Sequence, residues 1–300
     1  MDAGARSTRG PFVSDREPES SSETVDQPSD SDVQVNASAA QSTEQRPTRD
    51  VLDSLIESGV HEMNRERTGL LLSGLSAGLD IGFGPLLMAV LLTLSTGGFG
   101  DLTTELLLAS AYSVGFMFVI LGRSELFTEH TTLAVIPVLD GQASPRQLAR
   151  LWGLVYVGNL VGGMFFTVLA VLLMPGLGVV TPAAFEAIAL KLVTHELLWL
   201  LIAGMFAGWL MGLLAWLITA AQETTSRLLL IWVVTATIGL LHLPHSIAGN
   251  VEVLFGLLVS DGITIADYLW FLSLATIGNA VGGAVFVASL KYGHVVRGGK

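Results

Sequence analysis

Beyond residue 66 the chain consists of long apolar runs divided by short polar stretches. A membrane-spanning helix takes about 20 mainly apolar residues. Four uninterrupted runs reach that length, at about 70–94, 148–174, 187–219 and 268–292. Two further runs reach it only when their parts are joined. One extends from about 104 to 121, meets Gly122-Arg123-Ser124-Glu125-Leu126-Phe127-Thr128-Glu129-His130 and resumes over 131–139. The other starts near 227, meets Leu243-Pro244-His245-Ser246-Ile247-Ala248-Gly249-Asn250 and resumes over 251–260. The pattern predicts six spans, two of them broken helices. Ahead of them, Val51, Leu52, Leu55, Ile56 and Val60 recur at helical spacing. They predict an amphipathic helix over 51–66, lying along the cytoplasmic membrane surface. Residues 1–50 show no apolar period and are rich in Ser, Asp, Glu, Gln, Thr and Pro. Such a segment buries too little surface to offset its ordering entropy and reads as a disordered acidic tail. It lacks the basic start and apolar run of a signal peptide.

Composition agrees with a membrane protein. Of 300 residues, 51% are hydrophobic and only 14% charged, against about 25% charged in soluble domains. A chain so poor in charge cannot cover a soluble surface, which excludes a soluble enzyme or a secreted disulfide scaffold. The net charge of -11 repels nucleic acid. Cysteine is absent, which rules out disulfides, zinc–thiolate sites and cysteine nucleophiles. No metal or organic cofactor is implied.

The loop charges give an orientation. Arg65, Arg67, Arg146, Arg150, Arg227, Lys291, Arg297 and Lys300 fall at one set of span ends, while the loops 95–103, 175–186 and 260–267 hold no Lys or Arg. Positive charge marks the cytoplasmic side, so both termini are expected there. An internal repeat supports the count of spans. Gly158-Asn159-Leu160-Val161-Gly162-Gly163 and Gly278-Asn279-Ala280-Val281-Gly282-Gly283 share G-N-x-V-G-G at an offset of 120 residues. The same offset carries Glu125 onto His245. Three spans per half make the halves inverted, and paired broken helices in inverted halves point to a transport pathway. The alternative is a pair of generic small-residue packing motifs.

Irregular backbone at membrane depth persists only inside protein or beside water. Charged groups there need partners, so Arg123 is expected to neutralise Glu125 or Glu129. His245 follows a helix-breaking proline in a span otherwise almost free of ionisable groups, and imidazole is a common proton exchanger. Together these residues describe a route for a small anion or its conjugate acid. Two other classes fit the chain less well. Gly74-Leu75-Ser76-Ala77-Gly78 matches G-x-S-x-G, which would make Ser76 and His245 an intramembrane protease dyad. It lies in an apolar helix, where small residues read as packing. His195-Glu196 opens a zincin-like motif that fails because Trp199 stands at the second histidine's place. A non-transporting scaffold or sensor with an acidic tail is the third class.

The membrane part, from about Arg67 to His294, resembles the formate/nitrite transporter family. The resemblance rests on Glu125-Leu126-Phe127-Thr128, His245-Ser246-Ile247-Ala248, the two G-N-x-x-G segments with Asn159 and Asn279, and Ser76-Ala77-Gly78. It implies an all-α integral membrane fold of six transmembrane helices in two inverted three-helix repeats, aquaporin-like, with two broken helices. It also implies a homopentamer with one pore per protomer. By similarity, Thr128 and His245 face each other at the pore centre. Leu126 and Phe116 lie on apolar constrictions, with Tyr112 a weaker candidate. Lys191 resembles the outer-vestibule lysine that attracts anions, and Asn159 and Asn279 brace the broken helices. Glu125 and Ser246, within the motifs, and Arg123, beside the first, are supporting residues. The cargo implied is a small monovalent anion such as formate, nitrite, lactate or hydrosulfide. The chain departs from the family's pattern at Glu129-His130, Arg123, Pro244, Gly249-Asn250 and Gly208.

Overall fold

The computed structural model describes residues 46–95, 98 and 100–298. Most of the tail expected at residues 1–50 lies outside the described residues. Among the described residues the secondary structure is entirely helical. α1 is Thr48–Asn64, α2 Arg67–Ile81, α3 Phe83–Leu94, α4 Asp101–Leu121, α5 Phe127–Leu133, α6 Val135–Leu139 and α7 Pro145–Leu173. α8 is Pro182–Val193, α9 Leu197–Ala220, α10 Thr224–Leu240, α11 Ser246–Val259 and α12 Ile265–Val281. A π-helical stretch, Gly282–Ser289, leads into α13, Leu290–Gly298.

Five helical stretches are long and apolar enough to cross a membrane: Arg67–Leu94, Asp101–Leu121, Pro145–Leu173, Leu197–Ala220 and Ile265–Gly298. Two shorter apolar helices, Thr224–Leu240 and Ser246–Val259, follow one another across the second interruption. The run expected as one span over 187–219 is divided. α8 stops at Thr194, and Glu196 is extended before α9 begins. Lys191 therefore lies on a short separate helix rather than on a span. Local signals fix several starts. Ser144 and Gln147 form a capping box with Pro145 in the first turn of α7, and Thr264 and Asp267 form one on α12.

α1 forms close to its expected position, but its apolar face is turned to protein. Val51, Leu52, Leu55 and Ile56 are buried with Ile136 and Trp216. At Gly59 an added Cβ would lie 2.6 Å from the Leu133 carbonyl oxygen and 2.6 Å from Pro137 Cγ, so α1 is seated on the α5–α6 segment.

The repeated glycines bring helices into backbone contact. A Cβ on Gly78 (α2) would lie 2.2 Å from Asn159 O (α7), and one on Gly162 would lie 2.2 Å from Leu75 O. In the second half a Cβ on Gly208 (α9) would lie 2.1 Å from Asn279 O (α12), and one on Gly282 would lie 2.1 Å from Met205 O. This explains the departure at Gly208, because no side chain fits between α9 and Asn279. Small residues let membrane helices approach closely, and van der Waals packing then holds them.

Candidate functional site

Both interruptions have one construction. α4 ends in Gly122 and Arg123, whose φ of 57° is left-handed; α10 ends in Leu241 and His242, with φ 48°. The chain then runs extended into the residue that caps the next half-helix, Leu126 for α5 and His245 for α11. A left-handed non-glycine residue costs on the order of 1 kcal/mol, so each turn is held by its surroundings.

One asparagine supplies much of that hold. Asn159 Oδ1 accepts from the Phe127 amide at 2.9 Å, and its Nδ2 donates to the Gly74 and Glu125 carbonyls, both at 2.8 Å. Asn279 Oδ1 accepts from the Ser246 amide at 2.7 Å, and its Nδ2 donates to the Gly204 and Pro244 carbonyls, both at 2.8 Å. The matched bonds align Phe127 with Ser246 and Glu125 with Pro244. Asn159 lies 32 residues from Phe127, whereas Asn279 lies 33 from Ser246. That extra residue shifts the expected register by one. His245 corresponds to Leu126, not to Glu125.

The two half-helices meet through Thr128 and His245. Thr128 Oγ1 lies 2.8 Å from His245 Nε2, with both residues buried. His245 Nδ1 accepts from the amides of Ile247 at 3.3 Å and Ala248 at 3.1 Å, capping α11. An acceptor Nδ1 places the ring proton of a neutral imidazole on Nε2, so His245 donates to the Thr128 hydroxyl. The Thr128 hydroxyl proton is then available to another acceptor. A second ring proton would displace two amide donors and set a cation against a helix N-terminus. The geometry therefore holds His245 neutral and opposes its expected role as the exchanger of protons. Phe116 stands edge-on to His245 with centroids 4.9 Å apart, and Tyr112 tilts against Phe116 at 5.1 Å. Leu126 and Phe116 are fully buried, and so is Ser246, whose Oγ has no partner among the described residues.

Cavities open toward both ends of α4. One, of about 520 Å³, lies at the α1 side and is lined by Arg46, Glu62, Arg123, Glu125, Glu129 and Arg227 among others. The other, of only about 20 Å³, lies toward the opposite ends of α4 and α10. Tyr112, Lys191, His242, Leu243 and Glu252 are in its wall.

The charge pairing at the wide cavity differs from expectation. Arg65, from the link between α1 and α2, lies 2.6 Å from both Glu62 and Glu125. His130 Nε2 lies 2.5 Å from the other oxygen of Glu125. Glu125 is thus paired with Arg65 and His130, and the Arg123 side chain makes no hydrogen bond or ion pair among the described residues. Its left-handed turn and exposed position leave it on the cavity wall. Burial, reinforced by the charge of Glu125, pushes the Glu62 carboxyl above its ordinary value against the lowering effect of Arg65. The Arg65 guanidinium is raised chiefly by its hydrogen bond to Glu62. At the narrow cavity Lys191 is not a free cation. Its Nζ lies 2.6 Å from Glu105 Oε1, and His242 Nε2 lies 3.3 Å from Glu105 Oε2.

Comparison with known proteins places this arrangement in a family. Residues 49–293 match the family model described as formate/nitrite transporter. The chain belongs to the formate/nitrite transporter family. Among relatives, it is 29% identical over 242 residues to the inner membrane protein YfdC of Escherichia coli K12, covering 80% of this chain and 76% of that one. Among solved structures, it is similar to an "FNT family ion channel" at 25% identity and a TM-score of 0.71, covering 82% of this chain and 99% of that one. It is similar also to a "Pentameric formate channel with formate bound" at 26% identity and a TM-score of 0.62, covering 77% of this chain and 98% of that one. As a member of the formate/nitrite transporter family the chain is a membrane transport protein and not an enzyme.

The protease reading has no geometry behind it. Ser76 Oγ donates to Asp80 at 3.3 Å and lies 3.5 Å from Ser124 Oγ, whereas the partner of His245 Nε2 is Thr128. Among the described residues no group of His, Cys, Asp and Glu could hold a metal. The sequence reading overlooked Glu105, His242 and Glu252. Glu252 is a carboxylic acid in an apolar half-helix, and that was the available signal.

Proposed function

We propose that the chain carries a small monovalent anion, or its conjugate weak acid, through a pore within each protomer. Residues 67–300 form the channel domain, of six spans in two inverted three-helix repeats. α4–α5 and α10–α11 are its broken helices, and the 51–66 helix is cytoplasmic. Both termini face the cytoplasm, and five protomers assemble, in keeping with the similarity to a pentameric formate channel. The observation that carries the reading is the Thr128–His245 contact. It lies where the two half-helices meet, in an apolar collar of Phe116 and Leu126, with a cavity toward each end of α4.

The chemistry follows from that collar. A charged solute must shed water to enter it, which costs far more than for a neutral molecule. The Thr128 hydroxyl proton, freed by the tautomer of His245, is the donor a dehydrated oxygen would find there. With His245 held neutral, the permeant gains its proton before the centre and crosses it as the weak acid. Arg123 draws anions to the wide mouth, and Asn159, Asn279, Glu125 and Ser246 hold the breaks in place. Lys191, tied to Glu105, contributes less free charge at the narrow mouth. The test is a flux screen of reconstituted protein with formate, acetate, lactate, nitrite, chloride and hydrosulfide, repeated with Thr128→Val. Rapid wild-type flux of one or more weak-acid anions, reduced at least tenfold by the substitution, is expected. No flux of any of them above protein-free liposomes would end the reading.

A further inference from the structure

The half-helix that His245 caps carries one carboxylic acid. Glu252 lies seven residues beyond His245, two turns along the same face of α11. Glu252 is 6% exposed, and its carboxyl group makes no hydrogen bond or ion pair among the described residues. It nevertheless lines the narrow cavity. An ionised carboxylate so enclosed and unpartnered is costly, which marks the position as functional by default.

The titratable neighbours do not satisfy it. From α8, Lys191 faces the same cavity but is held by Glu105 of α4 at 2.6 Å. Glu105 also faces His242, from the turn before α11. From α4, Tyr112 faces the cavity and tilts against Phe116, which stands edge-on to His245. α7 and α12, also packed on α11, bring no residue to the cavity wall. The cavity volume of about 20 Å³ is room for roughly one water. An anion that enters meets Glu252 without its hydration shell, and two carboxylates in one dry site cannot both stay ionised, so one proton is shared between them.

We propose that Glu252 is the proton donor of this pore, giving its proton to an incoming weak-acid anion before the anion reaches Tyr112, Phe116 and His245. The proposal rests on the transport reading above and adds the group that makes the permeant neutral. In the step the Oε–H bond of Glu252 breaks, the proton bonds to an oxygen of the anion, and the electron pair stays on Glu252 as a carboxylate. Water at the mouth then reprotonates Glu252, so one proton crosses with each anion. With a carboxylate permeant the transfer exchanges one carboxylic O–H bond for another. His245 does not fill this role, since its Nδ1 is occupied by two amides.

The experiment is formate uptake into proteoliposomes between pH 5 and 8, with an internal pH dye, for wild type, Glu252→Gln and Glu252→Asp. Glu252→Gln is expected to lose at least tenfold in rate at pH 7. Its remaining flux should fall about tenfold per pH unit, following bulk formic acid, whereas wild type has a flatter profile. Glu252→Asp is expected to restore the flatter profile at a reduced rate. Wild-type rates and profile in both variants would overturn the proposal and leave the transport reading standing. A Glu252→Gln variant slowed equally at every pH and not rescued by Glu252→Asp would assign a structural role and also overturn it. If Glu252→Gln fails to assemble, Glu252→Asp decides alone, and an unaltered pH profile with an unaltered rate would count against the proposal. Wild type carrying no anion would instead sink the transport reading, and the donor role with it.

Discussion

Replacing either bracing asparagine by leucine should unfasten its broken helix, and the two replacements should cost nearly the same. Asn159 and Asn279 each hold one amide and two carbonyls, at 2.9, 2.8 and 2.8 Å and at 2.7, 2.8 and 2.8 Å. The amides of Phe127 and Ser246 open a half-helix and have no partner within it. Leaving such a buried donor empty costs about 1–3 kcal/mol, and the Glu125 or Pro244 carbonyl about as much again. The Gly74 and Gly204 carbonyls lie within helices and lose only a second bond, about 0.5–1 kcal/mol. The total is about 2.5–7 kcal/mol for either variant. That is a large part of a typical folding free energy of about 5–15 kcal/mol. Unfolding of the purified protein by heat or by SDS, followed by tryptophan fluorescence, measures it. Leu126→Ala, which removes buried apolar bulk but no brace, gives the comparison. A variant of either asparagine that unfolds within 1 kcal/mol of wild type would refute the claim that these bonds hold the interruptions.

Other consequences are as direct. Gly208→Ala places a Cβ about 2.1 Å from backbone Asn279 O and should destabilise by about 1–3 kcal/mol, whereas Gly153→Ala, with nothing within 4 Å, should be neutral or slightly stabilising in the same unfolding assay. Phe116→Ala removes the ring 4.9 Å from His245 and should raise lactate flux relative to formate flux at least threefold in liposomes. The Glu62 carboxyl is raised in the docked α1, so that state binds its proton more tightly than a detached helix. Its contribution to docking is full at low pH and is lost as pH rises through the raised value. Amides of residues 48–64 should therefore exchange more slowly at pH 5 than at pH 8 after correction for intrinsic rates; the reverse order would mean that the Arg65 pairing dominates.

Much of the fold was legible because lipid imposes length and composition on each span. The apolar runs, both interruptions and the repeated glycine–asparagine motif stand in the chain as written. Three features were not legible, each for a physical reason. The split at 194–196 is invisible to hydropathy, since both sides are apolar and only the extended backbone at Glu196 separates α8 from α9. The partner of Glu125 is Arg65, 60 residues away, brought there by the seating of α1, while nearby Arg123 is turned aside by its left-handed backbone. The register between the breaks depends on one residue in the segment leading to each asparagine, which a motif offset does not count. His245 was found from its setting, but its tautomer required the amides of Ile247 and Ala248 in place.

The matched scaffold makes the mismatched side chains informative. At equivalent points of the two breaks stand Arg123 and His242, Glu125 and Pro244, and Leu126 and His245. One break places ionic groups on a cavity of about 520 Å³, where water can solvate an anion. The other offers about 20 Å³, with its amine already paired to Glu105 and its one unpaired carboxylic acid at Glu252. Screening by water is strong in the first and weak in the second, so equal charges act over different ranges. On the proposed pathway, attraction of an anion belongs at the wide mouth and change of its protonation at the narrow one. With a neutral histidine between them, the pathway has a direction in its chemistry although its backbone is nearly symmetric. Exchanging the chemistry of the two breaks, with Arg123→His and His242→Arg together, should then alter the pH dependence of uptake from each side in opposite senses. Equal changes from both sides in vesicles of defined orientation would show that the asymmetry of the side chains has no bearing on transport.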